Sequence, residues 1–357
     1  RARQAGPAPF DAVHATNWGF ERYGVAAWGG CPLALMLVTP LESVMAAEQW
    51  PGSVDLTANL QLDQWTIDAA DRVCAPSSRV VATYARRADW SHRPVYPVAL
   101  GTVPATGTPR QRRQGRRLLF VGRLERRKGI DVLLEVLPRL LERHGDWSCE
   151  VVGNDTVPAA PGITFKSRFL SQHAGAAWLP RIEFAGAVAD SELARRYARA
   201  DLFVAPSRFE SFGLIYLEAM QHGVPVVGTA VGGAPEVVSD GVDGLLVPPG
   251  EADALAEALD RLMSDHDLRL RLGDAARQSL ATRTHLAMAE RMVGEYRAAI
   301  AAHAHRSRAV DATPLAAHAL ARLEESPATR GLSLTTRAVA AHASGEHEAA
   351  AALIAEA

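Results

Sequence analysis

The stretch LFVAPSRFESFGLIYLE, residues 202–218, runs from a short apolar segment directly into a helical pattern. Its first four residues are continuously apolar instead of alternating, which is typical of a strand covered on both faces of a parallel sheet. Ser211 is a favourable N-cap residue, so the sequence predicts a helix over Phe212–His222. A buried strand followed at once by a helix is the repeating unit of a doubly wound α/β domain.

The same alternation of apolar segments and helical patterns continues on both sides of this stretch, from Arg116 onward. The other predicted strands are Leu118–Val121, Cys149–Val152, Ile182–Phe184, Pro225–Val227 and Gly244–Val247. The other predicted helices are Asp131–Arg143, Glu192–Arg199, Pro235–Val238, Ala252–Ser264 and a closing helix from Leu286 to Ala301. This regular alternation predicts a complete doubly wound domain over residues 116–301.

Residues 1–108 repeat the pattern more weakly. Strands are predicted at Ala12–Ala15, Leu33–Val38, Arg72–Ala75 and Val95–Val98, which amounts to about half of a Rossmann-like domain. Residues 109–115 are predicted to be a linker, and the Ala-rich residues 302–357 a helical tail that resembles half of a tetratricopeptide repeat and could bind a partner protein. We therefore predict an α/β protein with two Rossmann-like domains, the first incomplete, and a helical C-terminal tail.

The composition is that of an ordinary globular protein, with 48% apolar residues, 22% charged residues and a net charge of -2. A near-neutral chain argues against nucleic acid as a partner, since its densest basic run, Arg110–Arg117, falls largely in the linker. Cys31, Cys74 and Cys149 lack the spacing of a zinc site or a disulfide framework, which favours a cytoplasmic location. The longest apolar run is far shorter than the ~20 residues of a membrane-spanning helix.

A basic turn follows the strand Leu118–Val121, where Gly122-Arg-Leu-Glu-Arg-Arg-Lys-Gly129 leads into a helix. Ligands of doubly wound sheets bind at the carboxyl ends of strands, so this turn is expected to point Arg123 and Lys128 into the cleft. An arginine and a lysine at this spacing suit two phosphates. The arginine would donate two parallel hydrogen bonds to one phosphate, and the lysine would act as a point charge. A basic loop that meets only solvent is the alternative interpretation.

The second loop places two acids and free amides at the start of a predicted helix. With Ser211 as N-cap, the next three amides form an anion site, and Gly213 allows a ligand to approach the backbone closely. Glu210 lies just outside the helix and Glu218 about two turns inside it, so the two carboxylates can reach different parts of one elongated ligand. Alternatively, Glu210 is a surface charge and Glu218 an ordinary helix residue.

Further matches extend these two motifs along the chain. The two motifs are Gly122-Arg123 with Lys128 and the pair Glu210-x7-Glu218. The further matches are AMQHGVPVV at residues 219–227 and the stretch from Val231-Gly-Gly-Ala-Pro-Glu236 through Gly244-Leu-Leu-Val247. Together they resemble the family-4 glycosyltransferases of the glycosyltransferase-B fold. The resemblance covers residues 116 to about 264 in order and without a missing strand.

The resemblance implies a role for each matching residue. Arg123 and Lys128 match the basic pair that neutralises the donor diphosphate, and Glu210 matches the carboxylate that contacts hydroxyls of the donor sugar. Glu218 matches the acid that binds the nucleotide ribose. The remaining implied donor-binding positions are Gly122, Val188 beside the base, and Ser211, Phe212, Gly213 and Leu214 at the sugar or distal phosphate. Gly232, Gly233 and Glu236 also match, although a tight turn with Pro235 opening a helix explains them equally well.

The resemblance also implies the reaction, which is transfer of a hexosyl group from a nucleoside-diphosphate sugar to an acceptor hydroxyl with retention of configuration. No divalent metal or cofactor is expected, because Arg123, Lys128 and helix amides would stabilise the departing diphosphate. The acceptor, whether a glycan, a lipid or a small molecule, stays open. A nucleotide-sugar epimerase of similar fold and a non-catalytic nucleotide-sugar-binding or scaffold module remain alternatives.

The first domain departs from the family pattern. Members usually open with a strand and a glycine-rich loop near the acceptor, and the first residues of this sequence do not match it. Val38 stands where the family often carries a histidine that touches the donor sugar. His14 resembles a family histidine in the preceding strand, and a structural role fits it as well. We therefore expect an incomplete acceptor side and a chain that binds nucleotide sugar but transfers it poorly.

Overall fold

The computed structural model describes residues 10–18, 26, 30–49, 54–86, 94–102, 116–156, 158–160 and 162–305. Among these residues, no helix is both long enough and apolar enough to span a membrane. The chain divides into two compact units. The first comprises residues 1–41, 50–98 and 289–357, and the second comprises residues 42–49 and 99–288.

The described part of the first unit contains a parallel sheet in the order β1-β2-β3-β4. Its strands are β1 (Val13–Thr16), β2 (Leu33–Met36), β3 (Arg72–Ala75) and β4 (Val95–Pro97). The helices of this stretch of sequence are α1 (Leu41–Glu48), most of which belongs to the second unit, α2 (Val54–Ala69) and α3 (Ser78–Ala85). Strand β2 is buried along its whole length, which explains its continuous apolar sequence.

The second unit contains a parallel sheet in the order β12-β11-β10-β5-β6-β9 and a separate antiparallel pair, β7-β8. The strands are β5 (Arg117–Val121), β6 (Ser148–Val152), β7 (Pro158–Ala160), β8 (Ile163–Thr164), β9 (Ile182–Gly186), β10 (Leu202–Ala205), β11 (Val226–Thr229) and β12 (Gly244–Val247). The helices are α4 (Ile130–Arg143), α5 (Phe165–Gln172), α6 (Asp190–Arg199), α7 (Leu214–Gln221), α8 (Ala234–Val237), α9 (Ala252–Ser264) and α10 (His266–Ser279). Helix α11 (His285–His305) follows them.

Both faces of this larger sheet are covered by helices. Along β5, Leu118 and Phe120 pack into one apolar cluster with α4 and α9, whereas Leu119 packs into a second cluster with α7. Successive side chains of a strand point to opposite faces, so the burial of all three residues requires cover on both sides. The continuous apolar strands in the sequence follow from this arrangement.

The chain changes direction across the sheet at β5. After β5 it adds β6 and β9 on one side, then places β10 on the other side of β5 and continues to β11 and β12. Parallel pairing of Leu202 with Leu118, and of Phe203 with Leu119, fixes the contact between β10 and β5. The carboxyl ends of these two strands therefore lie at a topological switch point, where ligands of doubly wound sheets bind.

The structure confirms the α/β class and all the predicted strands, with small shifts at their ends. The predicted helices of the second unit also form, and α5 and α10 are additional. The buried residues Leu268, Leu272 and Ala276 of α10 recur at four-residue spacing, which is a signal for this helix that the sequence analysis missed. The predicted linker, residues 109–115, and residues 306–357 of the predicted tail lie outside the described residues.

Helix α11 belongs mainly to a different unit from the one predicted. The sequence pattern predicts it as the closing helix of the second domain, whereas its residues from Ala289 onward belong to the first unit. Packing explains this difference, because Met292 is buried in a cluster with Met36 of β2. Glu295 also forms an ion pair of 2.5 Å with Arg72 at the start of β3.

Candidate active site

The loops that follow β5 and β10 meet at the switch point. The first loop is residues 122–129, with a 3-10 turn over Arg126–Lys128, and the second is residues 206–213. Lys128 Nζ lies 2.7 Å from Glu210 Oε2. The two side chains are 15% and 12% exposed, so the ion pair is largely shielded from solvent. A basic and an acidic residue, each predicted from a separate motif, are thus brought together at the expected ligand site.

Close backbone contact joins the two loops. The φ of Gly129 is 71°, in the left-handed region, and a Cβ atom there would lie 1.9 Å from the carbonyl oxygen of Pro206. The Arg208 amide donates a hydrogen bond to the Arg127 carbonyl at 2.8 Å. The Arg208 guanidinium donates to Asp131 Oδ1 at 2.6 Å and thereby fastens the second loop to α4. The position of the ion pair is therefore set by contacts that only glycine at 129 permits.

Arg123 lies at the exposed rim of the first loop. Its side chain is 58% exposed, and its Nη2 atom lies 3.2 Å from Glu125 Oε1. Glu125 is buried and also pairs with Arg127. A Cβ atom at Gly122 would lie 3.6 Å from Lys128 Cγ, so the lysine side chain runs beside this glycine. The structure thus places Lys128 inside the site and Arg123 at its edge.

A carboxylate from early in the chain supports the first loop. Glu48, the last residue of α1, accepts a hydrogen bond from the Arg127 amide at 2.6 Å. Burial raises the pKa of Glu48 above its ordinary value, and the hydrogen bond from this amide acts in the opposite direction. Glu48 is not among the predicted site residues, because no local pattern connects α1 with a loop so distant in sequence.

The helix after the second loop starts later than predicted, and Ser211 is not its N-cap. Helix α7 begins at Leu214, and Gly213 occupies the N-cap position with a φ of 104°. A Cβ atom at 213 would come within 2.5 Å of the Tyr216 ring, so this left-handed turn requires glycine. Ser211 and Phe212 are instead buried in the loop. The amides of the helix start therefore begin at Leu214, so the N-cap prediction for Ser211 is wrong, whereas the donor-binding role of residues 211–214 stays a prediction.

The turn at Gly232 and Gly233 holds the backbone of the second loop. The Gly233 amide donates a hydrogen bond to the Glu210 carbonyl at 2.8 Å. A Cβ atom at Gly232 would lie 1.8 Å from the same carbonyl oxygen, and one at Gly233 would lie 2.4 Å from the Ser211 carbonyl oxygen. Both glycines are therefore required by this close approach, and they fix the position of Glu210. Glu236 lies in the first turn of α8.

Glu218 has a different kind of partner. The Tyr197 hydroxyl on α6 donates a hydrogen bond to Glu218 Oε2 at 2.8 Å. Burial raises the pKa of Glu218 above the ordinary 4.5, the hydrogen bond from Tyr197 lowers it, and the charge of Asp190 raises it. Val188, predicted beside the base, is partly buried and packs on the same apolar cluster as Tyr197. Tyr197, which is not among the predicted site residues, thus contacts the predicted ribose-binding acid and belongs to the apolar cluster on which the predicted base-binding residue packs.

Polar side chains on and next to β1 form hydrogen bonds inside the first unit. Asn17 is 4% exposed, accepts a hydrogen bond from the Val38 amide at 2.6 Å and donates one to the Tyr84 hydroxyl at 2.9 Å. His14 Nδ1 lies 2.9 Å from the Tyr296 hydroxyl of α11. The structure therefore gives both Val38 and His14 partners within this unit.

Comparison with known proteins gives one family and several relatives. Residues 109–279 match the family described as glycosyl transferases group 1. The D-inositol 3-phosphate glycosyltransferase of Corynebacterium glutamicum is 36% identical over 184 residues, which are 51% of this chain and 43% of that protein. The protein of the same name from Corynebacterium diphtheriae is 32% identical over 306 residues, 80% of this chain and 70% of that protein. The chain thus spans less than half the length of the first of these relatives.

Solved structures with a similar fold include two that cover most of this chain. Sucrose-phosphate synthase from Thermosynechococcus elongatus is 26% identical, with a TM-score of 0.67 over 82% of this chain and 74% of that chain. HepE from Anabaena, solved in complex with UDP-glucose, is 22% identical, with a TM-score of 0.61 over 80% of this chain and 79% of that chain. These similarities confirm the predicted glycosyltransferase-B fold class.

Proposed function

This chain belongs to the group 1 glycosyltransferase family, and from that premise we propose that it is a retaining, metal-independent glycosyltransferase. In the proposed reaction, a hexosyl group moves from a nucleoside-diphosphate sugar to an acceptor hydroxyl. The observation that carries the proposal is the contact between Lys128 and Glu210 at the carboxyl ends of β5 and β10. It puts a cation suited to phosphate beside a carboxylate suited to sugar hydroxyls at the topological switch point.

The donor diphosphate is bound by Arg123 and Lys128 in this proposal. The exposed Arg123 side chain meets one phosphate as a forked donor, and Lys128 exchanges its 2.7 Å contact with Glu210 for a phosphate oxygen. Amides at the start of α7 add partial positive charge. Negative charge develops on the diphosphate as its bond to the anomeric carbon breaks, and these groups stabilise that charge.

The two acids bind different ends of the donor in this proposal. Once Lys128 has turned to the diphosphate, Glu210 accepts hydrogen bonds from hydroxyls of the donor sugar. Glu218 accepts a hydrogen bond from the ribose, and Val188 lies beside the base. The different neighbours of the two carboxylates support this assignment, because Glu210 contacts the first loop and Glu218 contacts α6.

Retention of configuration follows from a front-face displacement in this proposal. The acceptor oxygen approaches the anomeric carbon from the side on which the diphosphate leaves. The carbon–oxygen bond to phosphate breaks, the bond to the acceptor oxygen forms, and the acceptor proton passes to the leaving phosphate. With Arg123 and Lys128 stabilising the developing charge, the reaction proceeds without a covalent enzyme intermediate, a divalent cation or a cofactor.

The names of related proteins indicate which substrates to test first. HepE was solved with UDP-glucose, and the two Corynebacterium relatives are named for D-inositol 3-phosphate. We propose UDP-glucose as the first donor and D-inositol 3-phosphate as the first acceptor. GDP-sugars and ADP-sugars complete the donor panel, because the contacts that select base and sugar are spread over loops.

A two-stage experiment tests the proposed function. Thermal shifts with UDP, GDP, ADP and their sugar conjugates identify the donor, because a ligand of the folded state raises its apparent stability. NMR analysis of the products, with and without EDTA, then shows whether sugar is transferred and with which anomeric configuration. The proposal predicts a retained configuration and an EDTA-independent rate. Isomerised donor would indicate an epimerase, and binding without any product would indicate a binding module.

A further inference from the structure

We propose that Tyr197 is a positioning residue that orients the Glu218 carboxylate toward the ribose hydroxyls of the donor. This inference rests on the proposed function, in which Glu218 binds the ribose. Tyr197 is 2% exposed and donates its hydroxyl hydrogen to Glu218 Oε2 at 2.8 Å. One carboxylate oxygen is therefore occupied by the protein, and Oε1 remains to accept a hydrogen bond from the ligand.

The Tyr197 ring is held by side chains from two other places in the fold. Its centroid lies 5.6 Å from that of Phe203 on β10, in a tilted arrangement. It stacks on His222, at the end of α7, with centroids 6.3 Å apart and an angle of 7° between the rings. A ring that is already fixed by packing loses little further freedom when its hydroxyl makes a directed hydrogen bond. The core thus sets the hydroxyl position, and the hydroxyl orients Glu218.

The Tyr197 hydroxyl acts as a permanent donor across the neutral pH range. Burial raises its pKa well above 10, and the charge of Glu218 raises it further. Because the hydroxyl stays protonated, it stabilises the ionised form of Glu218, which is the form that can accept a hydrogen bond from Tyr197 at one oxygen and from a ribose hydroxyl at the other.

The ionisable groups that influence the pKa of Glu218 lie on α6. Burial has the largest effect and raises the pKa of Glu218, Tyr197 lowers it, and Asp190 at the start of α6 raises it. His222 lies at the end of α7 and stacks on the tyrosine. Since the tyrosine hydroxyl opposes burial and the repulsion from Asp190, its loss should raise the pKa of Glu218 further.

The test compares a nucleotide with a counterpart that lacks the ribose hydroxyls. The probes are the best-binding nucleoside diphosphate among UDP, GDP and ADP, and its 2′,3′-dideoxy form. Both are titrated calorimetrically into the full chain as wild type, Tyr197→Phe and Glu218→Gln. We expect Tyr197→Phe to weaken the ribonucleotide about 5- to 10-fold and the dideoxy form less than about twofold. Equal weakening of both probes would mean that Tyr197 only supports packing, and would overturn the proposal.

The pH dependence of the preference for the ribonucleotide gives a second readout. It would not change if Tyr197 only supported packing. Wild-type preference for the ribonucleotide should decline toward acid pH as Glu218 is protonated, and in Tyr197→Phe this decline should shift to higher pH. Tyr84→Phe is the matched control, because Tyr84 is a buried tyrosine of the first unit whose hydroxyl accepts a hydrogen bond from Asn17. The control should alter stability alone. An unmoved profile in Tyr197→Phe would contradict the positioning role.

The outcomes separate this inference from the proposed function. If wild type binds the ribonucleotide and the dideoxy form equally, the ribose role of Glu218 fails and the inference fails with it. A second outcome is that wild type prefers the ribonucleotide, that Glu218→Gln abolishes this preference and that Tyr197→Phe keeps it. In that case the proposed function stands and only the inference is wrong.

Discussion

Glu210 and Glu218 lie on one loop–helix segment but in opposite electrostatic surroundings. Glu210 forms a shielded ion pair with Lys128, so its charge is balanced within the loops at the strand ends. Glu218 accepts a hydrogen bond from the neutral hydroxyl of Tyr197, and burial raises its pKa. In the proposed site, the first carboxylate therefore gives up a cation when the donor binds, whereas the hydrogen-bond partner of the second, among the described residues, is a neutral hydroxyl.

This difference divides the proposed donor site by charge. In the ion-paired region, a diphosphate competes with Glu210 for Lys128, and sugar hydroxyls then replace the lysine at Glu210. In the hydroxyl-paired region, Glu218 is already oriented, although burial disfavours its charged form. Substitutions of Lys128 and Glu210 are therefore expected to have opposite effects on nucleotide affinity.

Removal of Lys128 is expected to have the largest effect on nucleotide binding. Lys128→Ala deletes a cation and removes the ion-pair partner of Glu210. The Glu210 side chain is only 12% exposed, so a largely buried carboxylate then lacks this partner. The remaining negative charge repels a diphosphate, so we expect the affinity for the nucleoside diphosphate to fall about 100-fold, or roughly 2.7 kcal/mol. Isothermal titration calorimetry measures this change.

Two neighbouring arginines serve as controls for a general loss of positive charge. Arg123→Ala should weaken binding only about tenfold, because its side chain is 58% exposed and its charge is screened by solvent. Arg126→Ala should weaken binding less than about twofold, because Arg126 faces Asp131 at 3.5 Å instead of Glu210. Equal losses in all three variants would indicate a diffuse basic loop and not a site centred on Lys128.

Glu210→Gln is expected to separate sugar transfer from nucleotide binding. The sugar hydroxyls lose a charged acceptor, so kcat/KM for transfer should fall about 10- to 50-fold. Lys128 loses its anionic competitor, so the affinity for the nucleoside diphosphate should rise about two- to fivefold. Rate assays and calorimetry on the same preparation measure both effects. Weaker nucleotide binding would show that the ion pair does not compete with the ligand.

The pH dependence of nucleotide binding is expected to follow Glu218. This carboxyl accepts hydrogen bonds at both oxygens only when ionised, so affinity should fall as the pH drops through its pKa, which burial raises above 4.5. Protonation of the nucleotide phosphate changes the affinity for wild type and for Glu218→Gln by the same factor. The ratio of the two affinities, measured calorimetrically from about pH 5 to 8, therefore isolates Glu218. A constant ratio would contradict the ribose role.

The smallest expected effect is that of the Glu218 carboxyl on the stability of the folded protein. A carboxyl with a raised folded pKa contributes most to stability below its unfolded pKa, and this contribution is lost as the pH rises through the folded pKa. Relative to Glu218→Gln, wild type should therefore become less stable as the pH rises from below 4.5 to neutrality. Thermal melts of both proteins measure this trend. Wild type gaining stability relative to the variant would reverse the expected sign.

The sequence predicts most of the fold because sheet burial leaves a local signal. Strands such as β5 and β10 are covered on both faces, which produces continuous apolar runs that can be read without the structure. Helix α11 could be predicted as a helix, but not as part of the first unit. Its assignment depends on packing between Met292 and Met36, which are far apart in sequence.

The sequence predicts the residue types of the site better than their contacts. Family motifs single out Lys128 and Glu210, but their ion pair depends on β10 lying beside β5, which is a property of the whole sheet. A capping preference made Ser211 the predicted N-cap, and the left-handed turn at Gly213 overrides that preference. Tyr197 has the sequence signature of a core aromatic, and its hydroxyl contact has no local signal.

The most direct test of the division between the two carboxylates compares a nucleoside diphosphate with its sugar conjugate. Calorimetry gives the ratio of the two dissociation constants for wild type, Glu210→Gln and Glu218→Gln. We predict that Glu210→Gln changes this ratio, because the sugar loses its carboxylate acceptor while the nucleoside diphosphate no longer competes with Glu210 for Lys128, whereas Glu218→Gln weakens both ligands and leaves the ratio at its wild-type value. The reverse pattern, with the ratio changed by Glu218→Gln and kept by Glu210→Gln, would contradict the proposed site.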